Sequence, residues 1–268
     1  KLGAQNAYMP TYYLFHAKYD LASGMVLDFE TNLKTAESTS ISINQENSLK
    51  NGVFLLDAAD LYIQNGAFRI AKEYLGKSKK VLDGGGFITD ALRARLDVSM
   101  SEVLIGQGFY NESLELLRER EPYFAGKAIK QESFVDDKGN LKSRKLSEEE
   151  VNSRYSDYAR LLTNIANTYR NKGNFKSADS AFASASTWMG KNLGESKLPY
   201  IKNQLYWSNL IVEGGLEADQ SFPRGTGYDR AINNLKISHK PTHFLGIEIY
   251  EQYLKRLLIE GNTSRYLN

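Results

Sequence analysis

Two pairs of residues in this sequence have the types and spacing that metal binding or acid–base catalysis would need. His239 and His243 are four residues apart, as two metal ligands on one helical face would be, but Pro241 between them argues against a continuous helix. Asp57 and Asp60 are three residues apart and could act as paired carboxylates. Because neither pair has a further ligand or partner nearby in the sequence, we interpret the histidines as linker residues and the acids as solvated or groove-lining side chains. The sequence therefore predicts no catalytic residue, no metal site and no cofactor.

Two glycine pairs have the close spacing of phosphate-binding loops. They are Gly106-x-Gly108 and Gly225-x-Gly227, and neither follows a predicted strand. The chain also has no Walker loop, no HExxH motif and no GxSxG motif. We therefore interpret these glycines as turn residues and predict that the protein is not an enzyme.

A polar stripe in the second half of the chain could bind another molecule. Arg160, Asn164, Asn167 and Arg170 are three or four residues apart, so a helix would place them on one face, with Asn171 directly after them. An asparagine flanked by arginines can hold a peptide backbone and a carboxylate at the same time. The alternative, an ordinary polar helix surface, remains open from the sequence alone.

The stripe overlaps a helix–turn–helix pattern over residues 162–185. Apolar residues recur three or four apart on both sides of a turn that contains Gly173, a residue suited to a left-handed backbone. The small residues Ala166 and Ala178 fall where two antiparallel helices would cross. This pattern resembles the tetratricopeptide repeat (TPR), which carries small, aromatic, Gly, Ala, aromatic and Ala positions in the same order. Here these positions are Ala166, Tyr169, Gly173, Ala178, Phe182 and Ala185.

Turn glycines recur along the chain and divide it into repeats. Most of them are about 42 residues apart, longer than the usual TPR unit of about 34; they are Gly24, Gly66, Gly108, Gly173, Gly214 and Gly261. The resemblance is therefore closest to the long-period repeats of kinesin light chains and related bacterial proteins, and Leu193–Pro199 is similar to their Leu-Gly-x-x-x-x-Pro linker. We expect repeats over residues 8–36, 48–82, 90–121, 151–190 and 199–238, a shortened sixth repeat at 241–268, and an insertion at 123–150.

This resemblance implies an all-α, right-handed α-solenoid of about eleven or twelve helices that spans residues 1–268 as a single domain. It also implies a non-enzymatic scaffold that binds a peptide or protein partner in a concave groove lined by the first helix of each pair. The polar positions six residues before each turn glycine should face that groove, together with Arg160, Asn164, Arg170 and Asn171; these positions are Lys18, Asp60, Glu102, Asn167, Ser208 and Lys255. The alternative function is a sensory or regulatory segment of a larger signalling enzyme, linked to a kinase or protease domain of the same polypeptide.

The composition narrows the classes of partner. The net charge is +2 and the basic clusters are small, so we expect no nucleic acid. No apolar run approaches the roughly 18 residues of a membrane span, so we expect no membrane insertion. The chain has no Cys, which excludes disulfides and thiolate metal sites. These features leave the compartment open, with a soluble cytoplasmic protein favoured over an exported one.

Four local predictions concern the connections between repeats. The polar stretch Glu37–Asn47 should be a linker, and the second helix of the third repeat should end near Pro122. The insertion should form either a β-hairpin around Lys138–Asn140 or a mobile loop, packed on the neighbouring repeats by Phe134. Ser147 should cap the helix that follows the insertion.

Overall fold

The computed structural model describes residues 6–85, 89–125, 130–135, 141–214, 231–236 and 249–254. Helices dominate this part of the chain and follow one another in antiparallel pairs. The pairs are α1 (Met9–Ala22) with α2 (Val26–Asn44), α3 (Leu49–Gln64) with α4 (Phe68–Gly84), α5 (Asp90–Gly106) with α6 (Tyr110–Ala125), and α7 (Glu148–Asn171) with α8 (Phe175–Asn192). Helix α9 (Leu198–Gly214) follows, and residues 231–236 and 249–254 are also helical. The predicted all-α solenoid class is therefore confirmed.

The same turn joins the two helices of all four pairs. Gly24, Gly66, Gly108 and Gly173 have φ between 71° and 84°, a backbone region that glycine adopts without steric penalty. In each turn, the residue after the glycine donates its amide to the carbonyl five residues back at 2.8–2.9 Å. The glycine amide itself donates to the carbonyl three residues back at 2.9–3.1 Å. These two bonds form the Schellman motif, which satisfies the last carbonyls of the first helix.

The prediction of turn glycines is thus confirmed at four positions, and at the other two it stays a prediction. Gly214 is the last residue of α9, and the residues that follow it lie outside the described part of the chain. Gly261 lies outside it as well.

Small buried residues lie where the two helices of a pair cross. Each first helix has one seven residues before its turn glycine, and each is fully buried: Ala17, Ala59, Ser101 and Ala166. The second helices carry Ala71, Ser113 and Ala178 at the matching position, also fully buried. The first pair has Phe29 there instead, and its buried ring meets Tyr62 edge to face at 5.7 Å. Burying such a large side chain stabilises a fold by about 1.5–3 kcal/mol.

The contacts divide the chain into two compact units, Lys1–Leu116 (unit 1) and Leu117–Asn268 (unit 2). In unit 1, helices α1 to α5 share one apolar core. In unit 2, α8 packs against both α7 and α9. First helices also touch each other, α1 with α3 and α3 with α5 in unit 1, and α7 with α9 in unit 2. Because the helices of a repeat protein contact mainly their neighbours, this division leaves the single domain over residues 1–268 a prediction.

Helix α2 is longer than the sequence predicted. It continues to Asn44, so the expected linker Glu37–Asn47 is wrong over most of its length. The Thr39 hydroxyl donates to the Thr35 carbonyl at 2.6 Å, and the buried Ser40 hydroxyl donates to Asn51 Oδ1 of α3 at 2.9 Å. The polar residues that suggested a linker therefore bond within the fold.

Helix α6 also exceeds its predicted end. It continues through Pro122 to Ala125, about one turn further than expected. The insertion then forms the predicted hairpin from β1 (Gln131–Val135) and β2 (Leu141–Lys145), which pair antiparallel with Gln131 opposite Lys145. The hairpin turn and the side chain of Phe134 lie outside the described residues.

Ser147 caps α7 as predicted. Its hydroxyl accepts from the Glu150 amide at 3.2 Å, and the Glu150 carboxylate accepts from the Ser147 amide at 2.9 Å. This reciprocal pair is a capping box. The Arg144 guanidinium of β2 donates to the same carboxylate at 2.6 Å and lowers the pKa of Glu150 to about 2. The hairpin is thereby tied to the start of α7.

Candidate functional site

The first helices of unit 1 carry a network of charged side chains. The Arg95 guanidinium of α5 donates to Asp57 Oδ1 at 2.5 Å and to Asp60 Oδ2 at 2.8 Å, both on α3. The Ser99 hydroxyl of α5 donates to Asp60 Oδ1 at 2.6 Å. Contacts within the protein occupy both carboxylates, so Asp57 and Asp60 are not solvated acids, and their interpretation as groove-lining side chains stays a prediction.

Burial raises the pKa of Asp57 above its ordinary value, and the Asp60 carboxylate beside it adds to the rise. The Arg95 guanidinium and the Lys18 ammonium of α1 act in the opposite direction. Lys18 is exposed to solvent, yet it lies close enough to α3 to act on Asp57. Arg95 and Lys18, both of unit 1, thus partly offset the charge of Asp57.

The polar stripe of the second unit lies on α7, and its members differ in exposure. Arg160, Asn167 and Arg170 are half-buried, and Asn171 at the helix end is exposed. Asn164 is buried, so a partner at the surface does not reach its side chain. The accessible part of the stripe therefore consists of Arg160, Asn171 and only parts of Asn167 and Arg170. Asn167 Oδ1, Arg170 Nε and Arg170 Nη1 are themselves buried.

An aromatic ring that the sequence analysis did not single out lies beside this stripe. The guanidinium carbon of Arg170 lies 5.8 Å from the centroid of the Tyr206 ring on α9, and Lys202 Nζ lies 5.5 Å from the same centroid. Cations within about 6 Å of an aromatic centroid are attracted by its π electrons. The sequence spacing of Lys202 and Tyr206 already indicated that they share a face of α9. Their proximity to Arg170 could not be predicted from the sequence. We call Arg160, Asn167, Arg170, Lys202 and Tyr206 the α7–α9 face.

A buried polar network fixes α9 against α7 and α8. The Asn203 amide nitrogen donates to the Phe182 carbonyl at 3.2 Å and to the Ser186 hydroxyl at 2.8 Å. Asn203 Oδ1 accepts from the Thr163 hydroxyl of α7 at 3.2 Å. A buried polar group without a hydrogen-bond partner destabilises the folded protein. Any shift of α9 would break these bonds, so they hold α9 in one position. They thereby place the Tyr206 ring next to α7.

The remaining predicted groove positions have different surroundings. Glu102 on α5 is half-buried. Ser208 on α9 is fully buried, and its hydroxyl donates to the Gln204 carbonyl at 2.8 Å. The prediction that Ser208 faces an open groove is therefore wrong. Lys255 lies outside the described residues.

The structure also tests the predictions about metal binding, turn glycines and membrane insertion. Within the described ranges, no group of three or more His, Asp or Glu side chains is placed to hold a metal ion. His239 and His243 fall outside those ranges, so their interpretation as linker residues stays a prediction. Gly108 is a turn glycine, as interpreted, and Gly106 ends α5. Among the described helices, none combines the length and the apolar character needed to cross a membrane.

Two solved structures share this arrangement of helix pairs. Both are crystal structures of nearly identical TPR-like repeats from Podosopora anserina, in a protein described as a kinesin light chain. One aligns with a TM-score of 0.54 at 12% identity, covering 87% of this chain and 98% of its own. The other aligns with a TM-score of 0.52 at 13% identity, covering 86% of this chain and 97% of its own. No family model matches the sequence, and no curated protein matches it.

This chain has the TPR-like repeat fold. Both matched structures are fungal, so the similarity to bacterial repeat proteins stays a prediction. In the TPR-like chain, Asp60 and Asn167 hold equivalent positions, six residues before their turn glycines. One is bound by Arg95 and Ser99, whereas the other belongs to the α7–α9 face.

Proposed function

We propose that this TPR-like chain is a non-enzymatic scaffold that binds an acidic peptide segment of a protein partner on the α7–α9 face. The observation that carries the proposal is the Tyr206 ring with Arg170 and Lys202 both within cation–π distance. A carboxylate of the partner would meet two cations here, while Asn167 can bond to a peptide backbone. The ring adds apolar contact area, as tyrosines do in many interfaces.

The charge of the surrounding sequence supports an acidic partner. Residues 151–202 contain eight Lys or Arg residues and three Asp or Glu residues. One of these acids, Asp179, accepts a hydrogen bond from the Trp207 indole nitrogen at 2.6 Å. A surface of one dominant sign attracts ligands of the opposite sign and raises their association rate.

The test begins with an array of peptides that carry acidic residues or an acidic C-terminus. The best binder is then measured by fluorescence anisotropy against the chain and against the double variant Asn167→Ala with Arg170→Ala. We expect the double variant to bind at least tenfold more weakly, which corresponds to about 1.4 kcal/mol, because both contacts are central to the face. Its melting temperature should stay unchanged.

A matched control separates this site from general electrostatic attraction. Lys176→Ala removes an exposed cation from α8, a second helix, and should leave the affinity within about twofold. An equal loss in both variants would contradict the proposal, and so would unchanged affinity in the double variant. The alternative role, as a regulatory segment of a larger kinase- or protease-linked enzyme, stays a prediction that the full polypeptide would test.

A further inference from the structure

Helix α1 carries a row of large aromatic side chains that are open to solvent. Tyr8, Tyr12, Phe15 and Tyr19 are 73%, 47%, 70% and 60% exposed. Their spacing of four, three and four residues places them on one helical face. We call these four residues the α1 aromatic face.

The opposite side of α1 is also apolar. Tyr13, Leu14 and Leu21 pack against the core of unit 1, and Ala17 is fully buried within it. A helix that is apolar on two opposite faces is normally covered on both of them. The composition of α1 therefore fits a helix between two neighbours, although the described residues of unit 1 cover one side only.

The other repeats of unit 1 show what usually covers this face. The positions 12, 9 and 5 residues before the turn glycine are Tyr12, Phe15 and Tyr19 in α1. In α3 they are Phe54, Asp57 and Leu61, and in α5 they are Leu96, Ser99 and Val103. All of these α3 and α5 residues are buried except Asp57, which is half-buried. There the preceding pair packs on the helix, α2 on α3 and α4 on α5. By analogy with α3 and α5, the α1 aromatic face is thus suited to pack against another helix.

We propose that the α1 aromatic face binds the same face of a second copy of this chain, with the two α1 helices antiparallel. The spacing of four, three and four is the same in both directions. Antiparallel helices would therefore set Tyr8 opposite Tyr19 of the other copy and Tyr12 opposite its Phe15. Such a self-complementary patch is what a two-fold dimer requires.

The charges of α1 are compatible with this pairing. Its charged residues are Lys18 and Asp20. Asp20 is buried and accepts from the Asn32 amide at 2.7 Å, so it does not reach the face. Lys18 lies near one end of the helix, so antiparallel pairing keeps the two ammonium groups apart.

The size of the patch also fits a dimer. At about 150–250 Å² for each aromatic side chain, the exposed parts of the α1 aromatic face amount to about 500 Å² per copy. The exposed Met25, Val26 and Leu27 follow directly after the turn that ends α1. The α1 aromatic face alone therefore has the size of a small interface, which fits association in the micromolar range.

The test is the mass of the full chain in solution, measured by sedimentation equilibrium over about 1–100 µM, the range in which micromolar association is visible. We expect the mass to rise from 30.2 kDa towards twice that value. Phe15→Glu and Tyr19→Glu, measured separately, should each hold the chain at the monomer mass. Because both side chains are mostly exposed, the melting temperature measured below the dimerisation range should stay unchanged.

Phe109→Glu serves as the matched control. Phe109 is 48% exposed at the α5–α6 turn, so this variant adds the same charge outside α1 and should still dimerise. A wild-type chain that stays monomeric at every concentration would overturn the proposal and leave the face to another protein or another helix pair. A dimer that survives both glutamate variants would overturn it as well, since the contact would then lie elsewhere.

Discussion

The first helices of the two units use charge in different ways. On α3 and α5, the carboxylates of Asp57 and Asp60 are bound by Arg95 within the unit. On α7 and α9, Arg170 and Lys202 share the ring of one tyrosine. The helix pairs have the same turn, and all but the first have small buried residues on both helices where they cross. A repeat position that stabilises the protein in unit 1 is, on our proposal, part of a binding surface in unit 2.

The largest difference should appear when Arg95 is removed. Arg95→Met leaves two close carboxylates in a mostly buried setting, and breaking a buried ion pair costs about 3–5 kcal/mol. We expect a loss of about 2 kcal/mol in the free energy of unfolding, because Arg95 and Asp57 keep some contact with solvent that screens the charges. Urea denaturation followed by circular dichroism measures this loss.

Arg93→Met is the control for that experiment. Arg93 lies on the same helix but is exposed, so its loss should be below about 0.5 kcal/mol. If Arg95→Met were no more destabilising than Arg93→Met, the network of unit 1 would not be structural and the contrast between the units would disappear.

Replacing the turn glycine should lower the free energy of unfolding by a smaller amount than Arg95→Met, and by the same amount in each unit. Gly66→Ala and Gly173→Ala place a side chain where φ is 71° and 73°, and each should cost about 1 kcal/mol. Apart from its chain neighbours, a Cβ at either glycine would have no atom within 4 Å, so the cost comes from the local backbone alone. Hydrogen exchange in the flanking helices measures each turn separately. A cost in only one unit would show that the turns are not equivalent.

The smallest predicted effect concerns pH. The fold holds the pKa of Asp57 above its ordinary value of 3.8, so the fold favours the protonated carboxyl. This contribution is complete below the unfolded pKa and is lost as the pH rises through the folded pKa. As the pH rises through this window, the wild type should therefore lose stability relative to Asp57→Asn. The difference should be small, because Asp57 keeps contact with solvent that screens its charge. If the wild type instead became more stable relative to Asp57→Asn as the pH rises, the effect of Arg95 on the Asp57 pKa would outweigh the effect of burial.

The sequence predicted those parts of the fold that depend on local geometry. Gly24, Gly66, Gly108 and Gly173 were identifiable because their backbone needs a left-handed residue at the end of a helical pattern. The cap at Ser147 followed from its hydroxyl and the acids after it. Such features depend on a few neighbouring residues, so spacing along the chain is enough to find them.

The candidate site was less predictable because its contacts join distant residues. Arg95 lies 38 and 35 residues from the two carboxylates that it binds. Asp57 and Asp60 therefore had the pattern of solvated acids. Tyr206 was missed for the same reason, and Ser208 had the right spacing but a buried environment. The type of a polar residue and its position within a repeat indicate which helix face it lies on. Which groups contact that residue depends on the neighbouring repeat.

The order of helix contacts has a consequence for how the chain folds. In the part of the chain that the structure describes, the packed elements are neighbours or next-but-one neighbours in sequence. Short loops close at a small entropic cost, and chains with local contacts fold faster than those with distant ones. A helix pair can therefore form as soon as its turn closes, and the next pair can add to it. During synthesis, unit 1 could be complete before the residues of α7 have left the ribosome.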